Sequence, residues 1–457
     1  MRDMKIINPA SGELIREVKE DNAATLQSKL VALRRGQRAW VAKSLANRVE
    51  ILRGFSRLLD TRTEELAALL TSEVGKPLQQ SRNEINGARA RIQWLTDHAV
   101  QYLQPETMTT APGLTEQIVY EPLGVIANIS AWNYPYLVGT NVFVPALLAG
   151  NAVFYKPSEF ATLTGMMIGK LMVEAGVSAD AFAVAVGGKE VGEQLLELPL
   201  DGYFFTGSYK TGKHIYDKVA AKMVPCQCEL GGKDPLYVTD DVKDVAAVAA
   251  GTADGAFYNN GQSCCAVERI YVHEKVYDAY VDAFVKEVKG YKLGAPDEEG
   301  VYIGALTRPA QITLLEEQVK EAVELGAKLH TGGSRVARAG NFFEPTVLTN
   351  VSHAMSVMRD ESFGPIIGIM KVRDDAEALA LMSDTEYGLT AAVYSSSEDR
   401  ARKILNQLNV GTGYWNCCDR VSAAVPWSGR KHSGFGATLS HMGLRAFTKP
   451  KAYHLKP

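Results

Sequence analysis

Glu229, in C-E-L-G-G-K-D-P, and Cys264, in N-N-G-Q-S-C-C, are the residues whose types and settings suit chemistry better than packing. A thiol attacks as its thiolate, and an ordinary Cys holds only about a few per cent thiolate at neutral pH. A carboxylate can take a proton from water. Together they ask for an electrophilic carbonyl and an intermediate that water then cleaves. The nearest histidines in sequence, His214 and His273, adjoin neither residue, so a Cys-His hydrolase dyad has no local support. Glu229 could equally be a structural carboxylate, and Cys265 or the Cys417-Cys418 pair could claim the reactive role by composition, since a free Cys is usually a buried one. The Gly261-Gln262 step favours Cys264, because a tight loop there exposes backbone and lets the thiol's own N–H help hold an oxyanion.

Three further stretches could serve that chemistry. Gly207-Ser208-Tyr209-Lys210-Thr211-Gly212 follows an apolar run and opens a helix, where free N–H groups and the positive helix end can meet a phosphate. The spacing is not G-x-G-x-x-G, and glycines at such a turn also serve geometry alone. Asn133, in W-N-Y-P after Trp132, can donate to an oxyanion or cap a helix. Lys156 and Glu159, in K-P-S-E, can hold ribose hydroxyls or form a solvated pair.

The elements that must position these groups alternate along the chain. From Val119, apolar runs separate helix-length stretches: G-V-I-A-N-I-S, a helix near 137–149, N-A-V-F-Y, a helix over 163–175, A-F-A-V-A-V, a helix near 189–197, D-G-Y-F-F, a helix after Ser208, and P-C-Q-C-E-L. Near-continuous apolar strands between helices predict a parallel sheet covered on both faces, with ligands at the carboxyl ends of its strands. A second cycle after Gly231 predicts a second α/β domain: P-L-Y-V, a helix over 244–257, the Cys264 loop, E-R-I-Y-V-H and a helix over 275–289. Residues 22–103 read as long amphipathic helices, clearest at 49–59 and 63–74. Residues 109–120 and the tail from Phe447 read as strands that project toward another subunit or edge the main sheet.

With 457 residues the chain has room for two to four domains. A net charge of −3 gives nucleic-acid binding no electrostatic support. The six cysteines, Cys226, Cys228, Cys264, Cys265, Cys417 and Cys418, lack C-x-x-C spacing and fit reduced thiols, with no metal site expected. No signal-peptide pattern opens the chain, and the apolar stretch 137–155 is broken by Thr140, Asn141, Pro145, Gly150 and Asn151. A cytoplasmic protein without membrane partners is expected.

E-P-L-G-V-I-A-N-I-S-A-W-N-Y-P, F-Y-K-P-S-E, F-F-T-G-S, E-L-G-G-K-D-P, G-Q-S-C and E-S-F-G-P-I, in this order, resemble the NAD(P)-dependent aldehyde dehydrogenase superfamily over nearly the whole chain. The resemblance implies a Rossmann-like cofactor domain (1–103 and 123–231), a second α/β catalytic domain (232–431) and a small β oligomerisation element (104–122 and 447–457) in a homodimer or homotetramer. It implies Cys264 as nucleophile, Glu229 as general base, and Asn133 with the Cys264 N–H as oxyanion hole. Lys156 and Glu159 resemble adenosine-ribose contacts, Trp132 and Ser208 with Gly207 and Gly212 the pyrophosphate turn, and Glu361 with Phe363 a nicotinamide-ribose clamp. Glu159 tilts the expected cofactor toward NAD, with NADP possible beside Lys156.

The same resemblance implies that Tyr134, Tyr258 and Trp427 wall the substrate tunnel, and an aromatic-lined, largely apolar tunnel suits medium aliphatic or aromatic aldehydes. Two departures stand out. Val142 and Thr438 occupy positions where many members carry a Lys and a Glu that relay the base's proton, a loss of both polar partners. Asn141 replaces the Arg of succinic-semialdehyde members, which disfavours a dicarboxylate semialdehyde unless Arg420 supplies the cation. A thiol esterase or acyltransferase without redox chemistry, and an idle NAD-binding protein, are the competing classes.

Overall fold

The structure, a computed structural model, describes residues 3–111 and 113–456, and of residues 109–111 the backbone alone. Of the segments expected above, residues 1, 2, 112 and 457 lie outside it. The alternating pattern from residue 125 builds a six-stranded sheet, in the order Gly434–Phe435, Cys226–Glu229, Gly202–Thr206, Val125–Ile129, Ala152–Lys156 and Phe182–Val184. All neighbours are parallel except the first pair. Every residue of Val125–Ile129 and Ala152–Lys156 is buried, as a sheet covered on both faces requires. The intervening helices, Pro135–Leu148, Thr162–Glu174, Lys189–Glu197 and Tyr209–Val219, fall close to the positions read from the sequence.

The order reverses at Val125–Ile129: the chain first adds Ala152–Lys156 and Phe182–Val184 on one side of it, then crosses back to lay Gly202–Thr206 on the other. A parallel sheet binds ligands in the crevice outside its carboxyl ends at such a point. Trp132-Asn133 follows one of these strand ends and Gly207-Ser208 the other.

Four helices, Ala23–Val41, Leu45–Thr61, Thr63–Val74 and Leu78–Leu103, precede this sheet. Phe55 packs edge-on to Phe143 at 6.1 Å, and the Trp40 indole donates to the Leu147 carbonyl at 2.9 Å, so the largest buried ring is hydrogen-bonded. A buried ion pair, Lys76 with Glu84, ties the start of the fourth helix to the site loop: Lys76 Nζ donates to the Asn133 carbonyl at 2.7 Å, and Glu84 accepts the Tyr136 N–H at 2.8 Å.

The second sheet has seven strands, in the order Lys328–Thr331, Thr346–Thr349, Ile366–Val372, Val267–His273, Asp234–Val238, Thr390–Tyr394 and Thr412–Trp415, antiparallel only in its first pair. A separate three-stranded antiparallel sheet joins Thr448–Leu455, Leu114–Pro122 and Glu106–Ala111. These tail strands therefore do not edge the main sheet. Gly434–Phe435 returns to the first sheet from beyond residue 431, where the sequence had marked no strand. Among the described residues no helix is long and apolar enough to cross a membrane, and no cluster of His, Cys, Asp and Glu could hold a metal ion.

Candidate active site

The Cys264 loop is shaped by its own asparagines. After the helix Val245–Phe257 the chain turns through Tyr258–Gly261 with Asn259, Asn260 and Gly261 at φ of 53°, 57° and 69°. Asn tolerates this left-handed region, and Gly261 is required there, because a Cβ would lie 2.3 Å from the Gly364 carbonyl oxygen. The turn is pinned by the Gln80 side chain accepting the Asn259 N–H at 2.9 Å, by Asn260 Nδ2 donating to the Ala305 carbonyl at 3.0 Å, and by Gln262 Oε1 accepting the Thr307 N–H at 3.0 Å. Gly232, in the Glu229 stretch, lets the two halves of the site meet: a Cβ there would stand 2.9 Å from the Cys264 carbonyl oxygen.

Cys264 and Glu229 line one cavity of about 460 Å³, with Tyr134, Tyr258 and Trp427 in its wall and Arg420 at an exposed position on it. Cys265 is buried, and its thiol donates to Asp419 at 3.0 Å. Contact with the Cys264 thiol, then burial, pushes the Cys265 thiol up and keeps it protonated. Cys417 and Cys418 lie outside this cavity, and burial raises both thiols, Cys418 to about 12. Cys264 is the partly exposed thiol of the cavity.

Burial pushes the Glu229 carboxyl up to about 7, against a hydrogen bond from the Thr438 hydroxyl and the field of Arg91, which both pull it down. Thr438 is fixed by a two-way backbone bridge to Trp427, at 2.8 and 2.9 Å. The expected loss of both polar partners of the base is thus corrected: Val142 is apolar core, while Thr438 retains a hydroxyl on Glu229. The tunnel is largely apolar, with Arg91, Asp419 and Arg420 as charged groups among the aromatics. Burial raises Asp419 to about 7.

Asn133 caps no helix; the N-cap of Pro135–Leu148 is Tyr134. Its Nδ2 donates to the Gln262 carbonyl at 3.0 Å, which commits one amide hydrogen to the Cys264 loop and leaves the other.

A second cleft, of about 380 Å³, opens at the strand ends and shares Thr206 with the first. Trp132, Lys156, Glu159, Gly207 and Ser208 line it. Ser208 caps the helix Tyr209–Val219, its hydroxyl accepting the Thr211 N–H at 3.4 Å, and no acid sits in that first turn to oppose an anion. Lys156 is buried, which lowers its pKa, and makes no ion pair with Glu159 among the described residues. Gly212 does not line the cleft; it packs under Leu230, which a Cβ would meet at 2.5 Å.

Glu361 and Phe363 do not line this cleft either. Glu361 folds onto the Gly231-Gly232 backbone, accepting the Gly232 N–H at 3.1 Å, and burial raises it to about 8. Phe363 meets Trp132 edge-on at 5.5 Å and so reaches the cleft only through that ring. Glu268 holds the segment, accepting from the Ser362 and Phe363 N–H groups at 2.8 and 2.9 Å and from Lys233 at 2.7 Å. Arg91, Trp94, Asp419 and the pairs Lys76–Glu84 and Lys233–Glu268 are the residues that sequence reasoning missed. Only the burial of an Arg on an amphipathic helix could have flagged one of them.

The family model described as "Aldehyde dehydrogenase family" matches residues 1–453. Aminoaldehyde dehydrogenase 2 of Zea mays is 33% identical over 455 residues, covering 97% of this chain and 90% of that protein. Succinate-semialdehyde dehydrogenase [NADP(+)] of Deinococcus radiodurans is 31% identical over 457 residues, covering 100% of this chain and 95% of that protein. Among solved structures, an aldehyde dehydrogenase from Brucella melitensis superposes with a TM-score of 0.96 at 32% identity, covering 100% of this chain and 94% of that one.

Proposed function

Because the chain belongs to the aldehyde dehydrogenase family, NAD(P)-dependent oxidoreductases that convert an aldehyde to its acid, we propose that Cys264 and Glu229 carry that conversion here. The observation behind this is one shared cavity lined by both side chains, touching at Thr206 a strand-end cleft. The cleft fits a dinucleotide by its donor set: a capped helix end for phosphate, and Lys156 and Glu159 beside it for ribose.

Cys264, as thiolate, adds to the aldehyde carbon, and the Asn133 amide hydrogen left free, with the Cys264 N–H, stabilises the oxyanion. Trp132, Lys156, Glu159 and Ser208 would hold NAD or NADP in the cleft, which would supply hydride acceptance, so that the adduct on Cys264 could become an acyl thioester. Glu229 then takes a proton from water as that water attacks the thioester, releasing the acid and regenerating the Cys264 thiolate. The Thr438 hydroxyl and the Arg91 charge keep enough of Glu229 ionised at neutral pH for this role, despite its burial. Glu159 at the cleft disfavours a 2′-phosphate, so NAD is preferred.

A division into cofactor domain, catalytic domain and β oligomerisation element belongs to the same reading. The strand Thr448–Leu455 is the mostly exposed outer strand of its sheet, a ready edge for pairing with a second copy in a homodimer or homotetramer. Six free cysteines suit a reducing, cytoplasmic compartment. Purified protein given NAD and a panel of aldehydes should make NADH, and Cys264→Ala should stop it. Absence of NADH from every aldehyde, or ester hydrolysis faster than dehydrogenation without cofactor, would reject the proposal.

A further inference from the structure

We propose that the cavity takes an aldehyde carrying a second, anionic group, a carboxylate, and that Arg91 holds it; this rests on the aldehyde-oxidising reading of the Cys264 cavity. Arg91 lies on the cavity wall, partly buried, in the helix Leu78–Leu103. Its Nη1 donates to the Leu137 carbonyl at 3.3 Å and to Asn141 Oδ1 at 2.8 Å. Among the described residues no carboxylate stands within ion-pair distance of it, and its Nε and Nη2 donate to nothing. Burial lowers its pKa, the mark of a charge short of solvent, and the field of Glu229 offsets that only in part.

A guanidinium in that position is costly until an anion arrives, and its planar fork matches a carboxylate. Asn141 fixes the fork in place. The cation that position 141 itself lacks is thus supplied from a neighbouring helix, which removes the sequence-based objection to a carboxylate-bearing aldehyde. Arg420, exposed on the same cavity, adds a second positive charge.

An aldehyde carrying an ammonium group finds no such welcome. An aromatic cage needs open ring faces. The Lys76 ammonium takes one face of Tyr134 at 3.8 Å and His98 one face of Trp94 at 4.2 Å, which leaves fewer faces for a cage. Asp419, the cavity's acid besides Glu229, already accepts from Ser263 at 3.2 Å and from Cys265 at 3.0 Å. Burial raises its carboxyl to about 7, so at neutral pH it carries only part of a charge.

The test compares kcat/KM for three aldehydes of matched length, ending in a carboxylate, its methyl ester or an amine, with the wild type, Arg91→Gln and Arg91→Lys. The wild type should prefer the carboxylate aldehyde over the ester by about tenfold or more, and the amine should be poorest. Arg91→Gln should lose about 10- to 100-fold on the carboxylate aldehyde, mainly through KM, a loss at least about tenfold larger than its loss on the ester. Arg91→Lys should recover part of it. Preference for the amine, or equal losses on carboxylate and ester, overturns the inference while leaving aldehyde oxidation standing. If the wild type makes NADH from none of the three or from any other aldehyde, the underlying reading fails and the inference with it.

Discussion

Glu84 and Arg91 lie two turns apart on one face of the helix Leu78–Leu103, and the protein treats their charges in opposite ways. Glu84 is saturated: Lys76 pairs with it, the Tyr136 N–H donates to it, and its side chain sees no solvent. Arg91, on the cavity wall, spends one nitrogen on Leu137 and Asn141, and its other donors bond to nothing among the described residues. A buried charge whose partners are all inside the chain builds a scaffold. One left with unspent donors beside a cavity is kept for something that arrives. Here the scaffold pair also positions the site, since Lys76 holds the Asn133 carbonyl.

Breaking the scaffold half should have the largest effect. Lys76→Met strands Glu84 without a counter-charge and should cost about 3–5 kcal/mol, read as a lower denaturant midpoint. A midpoint shift near zero would mean that Glu84 is not the structural partner described here. Next comes pH. Glu229 must be ionised to accept a proton, and its carboxyl is raised by burial to about 7, so deacylation should fall as pH drops through about 7, by about tenfold per unit below it. A deacylation rate flat from pH 5 to 8 would contradict that, this range lying about the value given.

Thr438→Val removes the hydrogen bond that lowers Glu229, so the same profile should shift to higher pH, with a loss of about 1–2 kcal/mol in transition-state stabilisation at neutral pH. The smallest effect is expected of Arg91→Met in the absence of ligand. Deleting a cation that makes no ion pair among the described residues should change stability by no more than about 1 kcal/mol in either direction. A loss as large as that of Lys76→Met would erase the contrast between the two charges.

The strands and helices around residues 125–289 were legible because burial on both faces writes an uninterrupted apolar run, and each run ended at a polar motif. Cys264 and Glu229 stood out by residue type and local motif, and the roles proposed for Trp132, Lys156 and Ser208 came from the resemblance; the first two line the cavity and the other three the cleft. Arg91 was not legible. Amphipathic periodicity gives the buried face of Leu78–Leu103 but says nothing of which cavity that face meets, and Asn141 reads as a gap until Arg91 is placed against it. Thr438 was misjudged because its contact with Glu229 depends on the return of Gly434–Phe435 to the first sheet, a long-range pairing too short to leave a pattern. Glu361 was placed in the cofactor cleft by resemblance, whereas the missing side chain of Gly231 gives it a pocket on the backbone, where a Cβ would stand 2.2 Å from its Oε1.

The central claim, that Cys264 forms an acyl intermediate which Glu229 causes water to cleave, is tested most directly by rapid mixing of Glu229→Gln with NAD and a good aldehyde, followed by mass analysis of the protein. One equivalent of NADH in a burst, slow turnover afterwards and an acyl group retained on Cys264 is the predicted result. Normal steady-state turnover in Glu229→Gln, or an acyl group found on Cys265 instead, would contradict it.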